Sequence, residues 1–163
     1  MKLNQTMCRL IKGALVVCLL VFWAPSFLNQ KISSTTTFSK VEEKVIGAID
    51  ATNYPRQSTQ KIRRLLNIDT NDVINIGLYR SNDALSPNEI VLIEFDPANG
   101  QKIEEILNAR QQSQFDIYSG YAPEAAAAVE KGWIDVEENY AIFYVGQETE
   151  QVKNAFISAL KGA

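Results

Sequence analysis

The sequence predicts an α+β domain: one four-stranded antiparallel sheet with helices packed on one face, built from two hairpin-helix units and preceded by an N-terminal hydrophobic export or anchor helix. Three observations predict it. Two segments with strand chemistry end in short turns and lead into a second strand, which makes the paired strands antiparallel neighbours. Each hairpin is followed by a segment with apolar residues at helical spacing. An uncharged apolar run near the N-terminus stands apart from everything that follows.

Gly13 to Leu28 is 16 residues without a charge, preceded by Lys2, Arg9 and Lys12 and followed by Lys31. That bias places the N-terminus in the cytoplasm and the rest outside. Residues 1–28 are read as a membrane anchor, with Leu10 and Ile11 extending the run, or as a signal peptide cut near Ala24-Pro25-Ser26. Cys18 follows Leu15, Val16 and Val17. A lipid-modified cysteine needs a small residue directly before it, so lipidation is not expected. The location that follows is the plasma membrane with the domain outside, or secretion if the signal is cut. Residues 29–37 are polar and rich in Ser and Thr, and read as a linker. Residues 38–163 form the single domain.

The elements of that domain are expected in the following order. Phe38, Val41, Val45, Ile46 and Ile49 share one face of a helix over 38–51, which Tyr54-Pro55 ends. Ile62, Leu65 and Leu66 mark a short helix over 59–67. Ile74, Ile76 and Leu78 alternate along a strand over 73–80. The SNDALSPN stretch over 81–88 is turn chemistry. Glu89 to Asp96 is almost wholly apolar, as a central strand is. Ile103, Ile106 and Leu107 point inward from a helix over 99–115. Tyr118 to Pro123 is read as a loop, with Pro123 opening a helix that Gly132 closes. Strands over 133–136 and 140–146 flank a tight turn, and Val152, Phe156 and Leu160 mark the last helix, 148–160. The segments beginning at Asn88 and Asn139 align weakly with each other.

Composition narrows the chemistry. Net charge is −3, and because the first 30 residues carry three cations and no acid, the remainder carries −6. Such a domain has no electrostatic footprint for nucleic acid. Both cysteines, Cys8 and Cys18, precede the domain, and histidine is absent, which removes the commonest metal ligand and general base. Ser-x-x-Lys at Ser58…Lys61 and Ser158…Lys161 lacks the companion motifs of acyl-transfer enzymes. Asp69 to Asp72 opens like a calcium loop but has Ile74 where glycine is required. The acid pairs Glu104-Glu105 and Glu137-Glu138 do not face across a cleft. No catalytic, cofactor-binding or metal-ligating residue is assigned.

Arg110 to Glu124 is the stretch to single out. Arg110, Gln114, Tyr118, Tyr121 and Glu124 surround a glycine-containing loop and are read as a recognition surface, since Tyr and Arg are favoured at interfaces. The alternative is structural: the tyrosines pin the loop and Arg110 pairs with an acid. Glu89-Ile90 opening the apolar strand, Arg110-xxx-Gln114-Phe115, Tyr121-x-Pro123-Glu124 and the strand from Tyr140 to Val145 also resemble the bacterial extracytoplasmic family catalogued as domain of unknown function 4358, over roughly residues 38 to 160. The resemblance implies a single envelope domain and transfers no activity. The sequence thus points to a non-catalytic protein-interaction module of the cell envelope, bound to the membrane through residues 10–28 and to an envelope protein. A small-ligand or cell-wall-fragment binder, or an envelope enzyme using carboxylates, stand as alternatives.

Overall fold

The computed structural model describes residues 31–50, 52 and 54–162, together with Lys12, Leu15 and Cys18. The chain divides into two compact units, Met1–Lys31 and Ile32–Ala163. In the first, Lys12, Leu15 and Cys18 are helical and exposed; the rest of the expected anchor or signal lies outside the described residues. Among the described residues no helix is long and apolar enough to cross a membrane.

The second unit has five helices and four strands among its described residues, in the order α1 (Phe38–Ile46), α2 (Thr59–Leu66), β1 (Asn75–Arg80), β2 (Glu89–Glu94), α3 (Gly100–Ser119), α4 (Pro123–Glu130), β3 (Trp133–Val136), β4 (Tyr140–Val145) and α5 (Thr149–Leu160). The strands form one antiparallel sheet in the order β1-β2-β4-β3. Each hairpin is joined by its own turn, and the central pair sets Glu89 opposite Val145 and Glu94 opposite Tyr140.

The helices cover both faces of this sheet, not one as the sequence reading has it. On one side Phe38, Val41 and Val45 of α1 and Val152, Phe156 and Leu160 of α5 pack with Ile90, Leu92, Tyr140, Ile142 and Tyr144. On the other, α2, α3 and α4 bring Ile62, Ile103, Leu107 and Val129 onto Val91, Ile93, Phe95, Ala141 and Phe143. The reason lies in the central strands. Successive side chains point to opposite faces, and β2 and β4 carry large apolar groups at both sets of positions. Each fully buried Val, Leu, Ile or Phe contributes about 1.5–3 kcal/mol, so neither face can be left to water. The two hairpin-helix units therefore send their helices to opposite sides.

The outer edge of β1 is covered by the chain before α2. Gln57 N–H donates to Leu78 O at 2.8 Å and Arg80 N–H to Pro55 O at 3.4 Å, which hides an edge that would otherwise be open to pairing. Residues 32–37, expected to be linker, are docked on the domain instead. Ser34 is buried; its hydroxyl donates to Leu160 O at 2.8 Å, and the Thr36 hydroxyl donates to Ala159 O at 2.9 Å. Asn139 bonds Ser34 at both its N–H and its carbonyl. Their short hydroxyls, which made the stretch look solvated, satisfy backbone carbonyls left over at the end of a helix.

Candidate functional site

Helix α3 positions most of the side chains singled out from sequence. It follows a single turn at Pro97–Asn99 whose start is capped by Asp96, the Ala98 N–H donating to Asp96 Oδ1 at 2.9 Å. From there it runs to Ser119, four residues beyond the expected end, and its buried positions are Ile103, Leu107, Arg110, Gln114 and Tyr118. These recur every three or four residues, so Arg110 and Gln114 are carried inward on the same stripe as the apolar groups.

They meet Glu89, the first residue of β2, which is 0% exposed. Arg110 donates from Nε to Oε1 at 2.7 Å and from Nη2 to Oε2 at 2.6 Å, and Gln114 Nε2 donates to Oε2 at 2.9 Å. Arg80 Nε, at the end of β1, stands 4.0 Å from the same oxygen. The bidentate fork is the strongest pairing available to a carboxylate, and the amide bond engages Oε2 a second time. Gln114 Oε1 is buried without a hydrogen-bond partner among the described residues.

Tyr118, also buried, extends one turn further and donates its hydroxyl to Ser86 O at 2.8 Å. Tyr121 follows the helix and reaches Ala84 O at 3.4 Å; the two rings lie 5.7 Å apart. Both tyrosines thus hold the connection between β1 and β2, residues 81–88. That connection also closes on itself, Ser81 N–H donating to Asn88 O at 3.0 Å and Ser86 N–H to Asp83 O at 3.2 Å. From its other end, Asn88 Nδ2 donates to Tyr54 Oη at 2.6 Å.

The five expected recognition residues are therefore not one surface. Arg110, Gln114 and Tyr118 are interior, because the helix face that carries them is the face that packs on the sheet. Tyr121 and Glu124 are exposed. Leu85, next to the Ala84 carbonyl that Tyr121 reaches, and Ile117, four residues before Tyr121, are each more than half exposed. The structural alternative, tyrosines pinning a loop and Arg110 paired with an acid, describes the observed bonds.

The remaining motifs have structural work. Ser58 caps α2, accepting from the Lys61 N–H at 3.4 Å, and Asp69 caps a turn through the Asn71 N–H at 3.1 Å. Among the described residues, no three His, Cys, Asp or Glu side chains are grouped so as to hold a metal ion. Glu89, Tyr54 and Asn88 were not among the residues singled out. Glu89 had a signal, a charge at the head of a strand that is apolar from Ile90 to Ile93. The Tyr54–Asn88 contact joins residues 34 apart in sequence and had none.

Residues 47–146 match the model of a family described as Domain of unknown function (DUF4358). The chain belongs to this family. No curated protein and no solved structure matches it. Within this DUF4358 protein the matched stretch holds all four strands, α2 to α4, the Glu89 cluster and the pinned 81–88 connection. Helices α1 and α5, which cover the opposite face of the sheet, lie outside it.

Proposed function

We propose that the protein is a non-catalytic interaction module of the bacterial cell envelope, held at the membrane by its N-terminal apolar segment, that docks a partner protein through the corner formed by Leu85, Ile117 and Tyr121. The carrying observation is the division of labour at this corner. The charged groups with the chemistry to act, Glu89 and Arg110, are enclosed and bonded to each other, whereas Leu85, Ile117 and Tyr121 are turned to solvent, Leu85 on a connection that is pinned from two sides. A rigid aromatic anchor loses little entropy on docking, which is what a recognition corner needs. The envelope assignment rests on the cations preceding the run Gly13 to Leu28.

The test is crosslinking in cells of the tagged full-length chain, comparing parent with a Leu85→Ser, Tyr121→Ala variant. One dominant envelope partner, lost in the variant while its thermal midpoint stays within a few degrees of the parent's, is the expected result. Capture of the same partner by the variant would remove the corner from the assignment. A phosphatase reporter fused after residue 163 should be active only outside the cytoplasm.

A further inference from the structure

The 81–88 connection has a second side. Between it and Tyr54 lies a cavity of about 360 Å³ lined by Tyr54, Ser81, Asn82, Asp83, Ser86 and Asn88, within the size range of small-molecule sites. Its walls are held in place before any ligand arrives, by the Tyr118 and Tyr121 hydroxyls bonded to the connection and by the bond between its lining residues Asn88 and Tyr54.

The hydrogen-bonding capacity of this lining can be counted group by group. Ser81 Oγ accepts from the Asp83 N–H and Ser86 Oγ from the Asn88 N–H, so each hydroxyl keeps its own proton to donate. Tyr54 Oη accepts from Asn88 and likewise keeps its proton. Asp83 uses Oδ1 for the Leu85 N–H and keeps Oδ2 as an acceptor. The Asn82 side chain, exposed, makes no hydrogen bond among the described residues and offers both a donor and an acceptor. Donors and acceptors thus line one small space together.

That mixture selects a ligand class. A phosphate or carboxylate calls for donors and cations, and among the described residues neither Lys nor Arg lines the cavity. A metal ion calls for acceptors alone. An apolar ligand would leave every one of these groups unpaired. A hydroxyl group both donates and accepts, so neighbouring hydroxyls on a sugar ring match a wall that offers both, and Tyr54 adds an aromatic side chain to that wall. We infer that this cavity binds a sugar unit, a neutral polyhydroxylated ligand. The side chains that line the site differ from those of the protein-docking corner, with Tyr121 as the one residue that supports both.

The experiment is a titration of the isotopically labelled full-length chain, read by backbone amide shifts. The probes are a β-1,4-linked N-acetylglucosamine trimer, maltotriose and, for comparison, inorganic phosphate. Saturable shifts confined to Tyr54 and residues 81–88 are expected with at least one sugar. Asn82→Ala should weaken that binding about tenfold, the worth of one or two hydrogen bonds. It should leave the thermal midpoint unchanged, because Asn82 is exposed and unbonded. Leu85→Ser with Ile117→Ser should leave a saturable sugar response. No saturable response to either sugar at this connection, a stronger response there to phosphate, or an Asn82→Ala variant that binds as tightly as the parent would each overturn the assignment.

Discussion

Glu89 has lost all contact with water, and a carboxylate in that position survives only because its lost hydration is replaced bond for bond. Arg110 replaces two of those bonds and Gln114 a third. The cost of breaking the set is therefore asymmetric. Arg110→Met leaves a buried anion with Arg80 4.0 Å away as its nearest cation, and should destabilise the domain by about 3–5 kcal/mol. Arg110→Met combined with Glu89→Gln should cost less than the two single changes added together, since the double change leaves no unpaired charge. Urea unfolding of the four proteins measures both quantities; strict additivity would show that the pair is not coupled. This cluster was half visible in the sequence. Arg110 and Gln114 fall on the stripe that Ile103 and Leu107 define, and a charged residue on an apolar stripe needs a buried partner. What the sequence did not supply was the partner, because pairing of Glu89 with Arg110 depends on which turn of the helix crosses the start of the strand.

Helix α3 shows how an element end can be misread. Residues 117–121 are Ile-Tyr-Ser-Gly-Tyr, and Ser and Gly together look like a turn. Yet Tyr118 continues the buried spacing set by Arg110 and Gln114, and packing extends the helix past its local propensity. The added turn carries Tyr118 to Ser86. Tyr118→Phe should remove one hydrogen bond, costing about 1 kcal/mol. It should also speed amide hydrogen exchange over residues 84–88 while leaving β2 and β4 protected. Unchanged exchange there would mean that the connection is held by its own turn bonds alone. The strands were legible as strands for the opposite reason, since β-branched and aromatic residues dominate them. Their apolar character at both alternating positions also announced helices on two faces, a signal outweighed by the economy of a single covered face.

At the scale of the molecule, three layers place several tyrosines against the sheet or its edge. Tyr140 and Tyr144 are pushed well above the ordinary value of 10.0, in both cases first by burial; Glu94 adds to the effect on Tyr140 and a hydrogen bond to Glu148 adds to it on Tyr144. Tyr54 and Tyr79 are raised too, again mainly by burial. A phenol whose value is raised on folding stabilises the folded state fully while unfolded tyrosine is still protonated, and that stability is lost as pH climbs from about 10 toward the folded value. The thermal midpoint should be insensitive to tyrosine ionisation up to about pH 9 and fall above about pH 10. Tyr140→Phe should make that fall shallower, and an equally steep fall would exclude Tyr140 as a contributor. The order of elements and the pairing within each hairpin were readable from the chain. The central β2–β4 pairing joins distant segments and was legible only as far as Glu89 to Asp96 reading as a central strand. The docked segment from Ile32 to Thr36 was unreadable, since Ser and Thr serve equally in a tether and on a helix end. Its position has a mechanical consequence. Ser34 and Thr36 sit on the last carbonyls of α5, so the two ends of the fold are side by side. Tension drawn between residue 32 and the end of α5 loads the Ser34 and Thr36 hydroxyl contacts together with the bonds that tie the segment to Asn139 and to Tyr140 of β4. The segment from Ile32 to Thr36 is therefore a strap laid across the end of α5 and the β3–β4 turn, and it must detach from both before the chain there can lengthen.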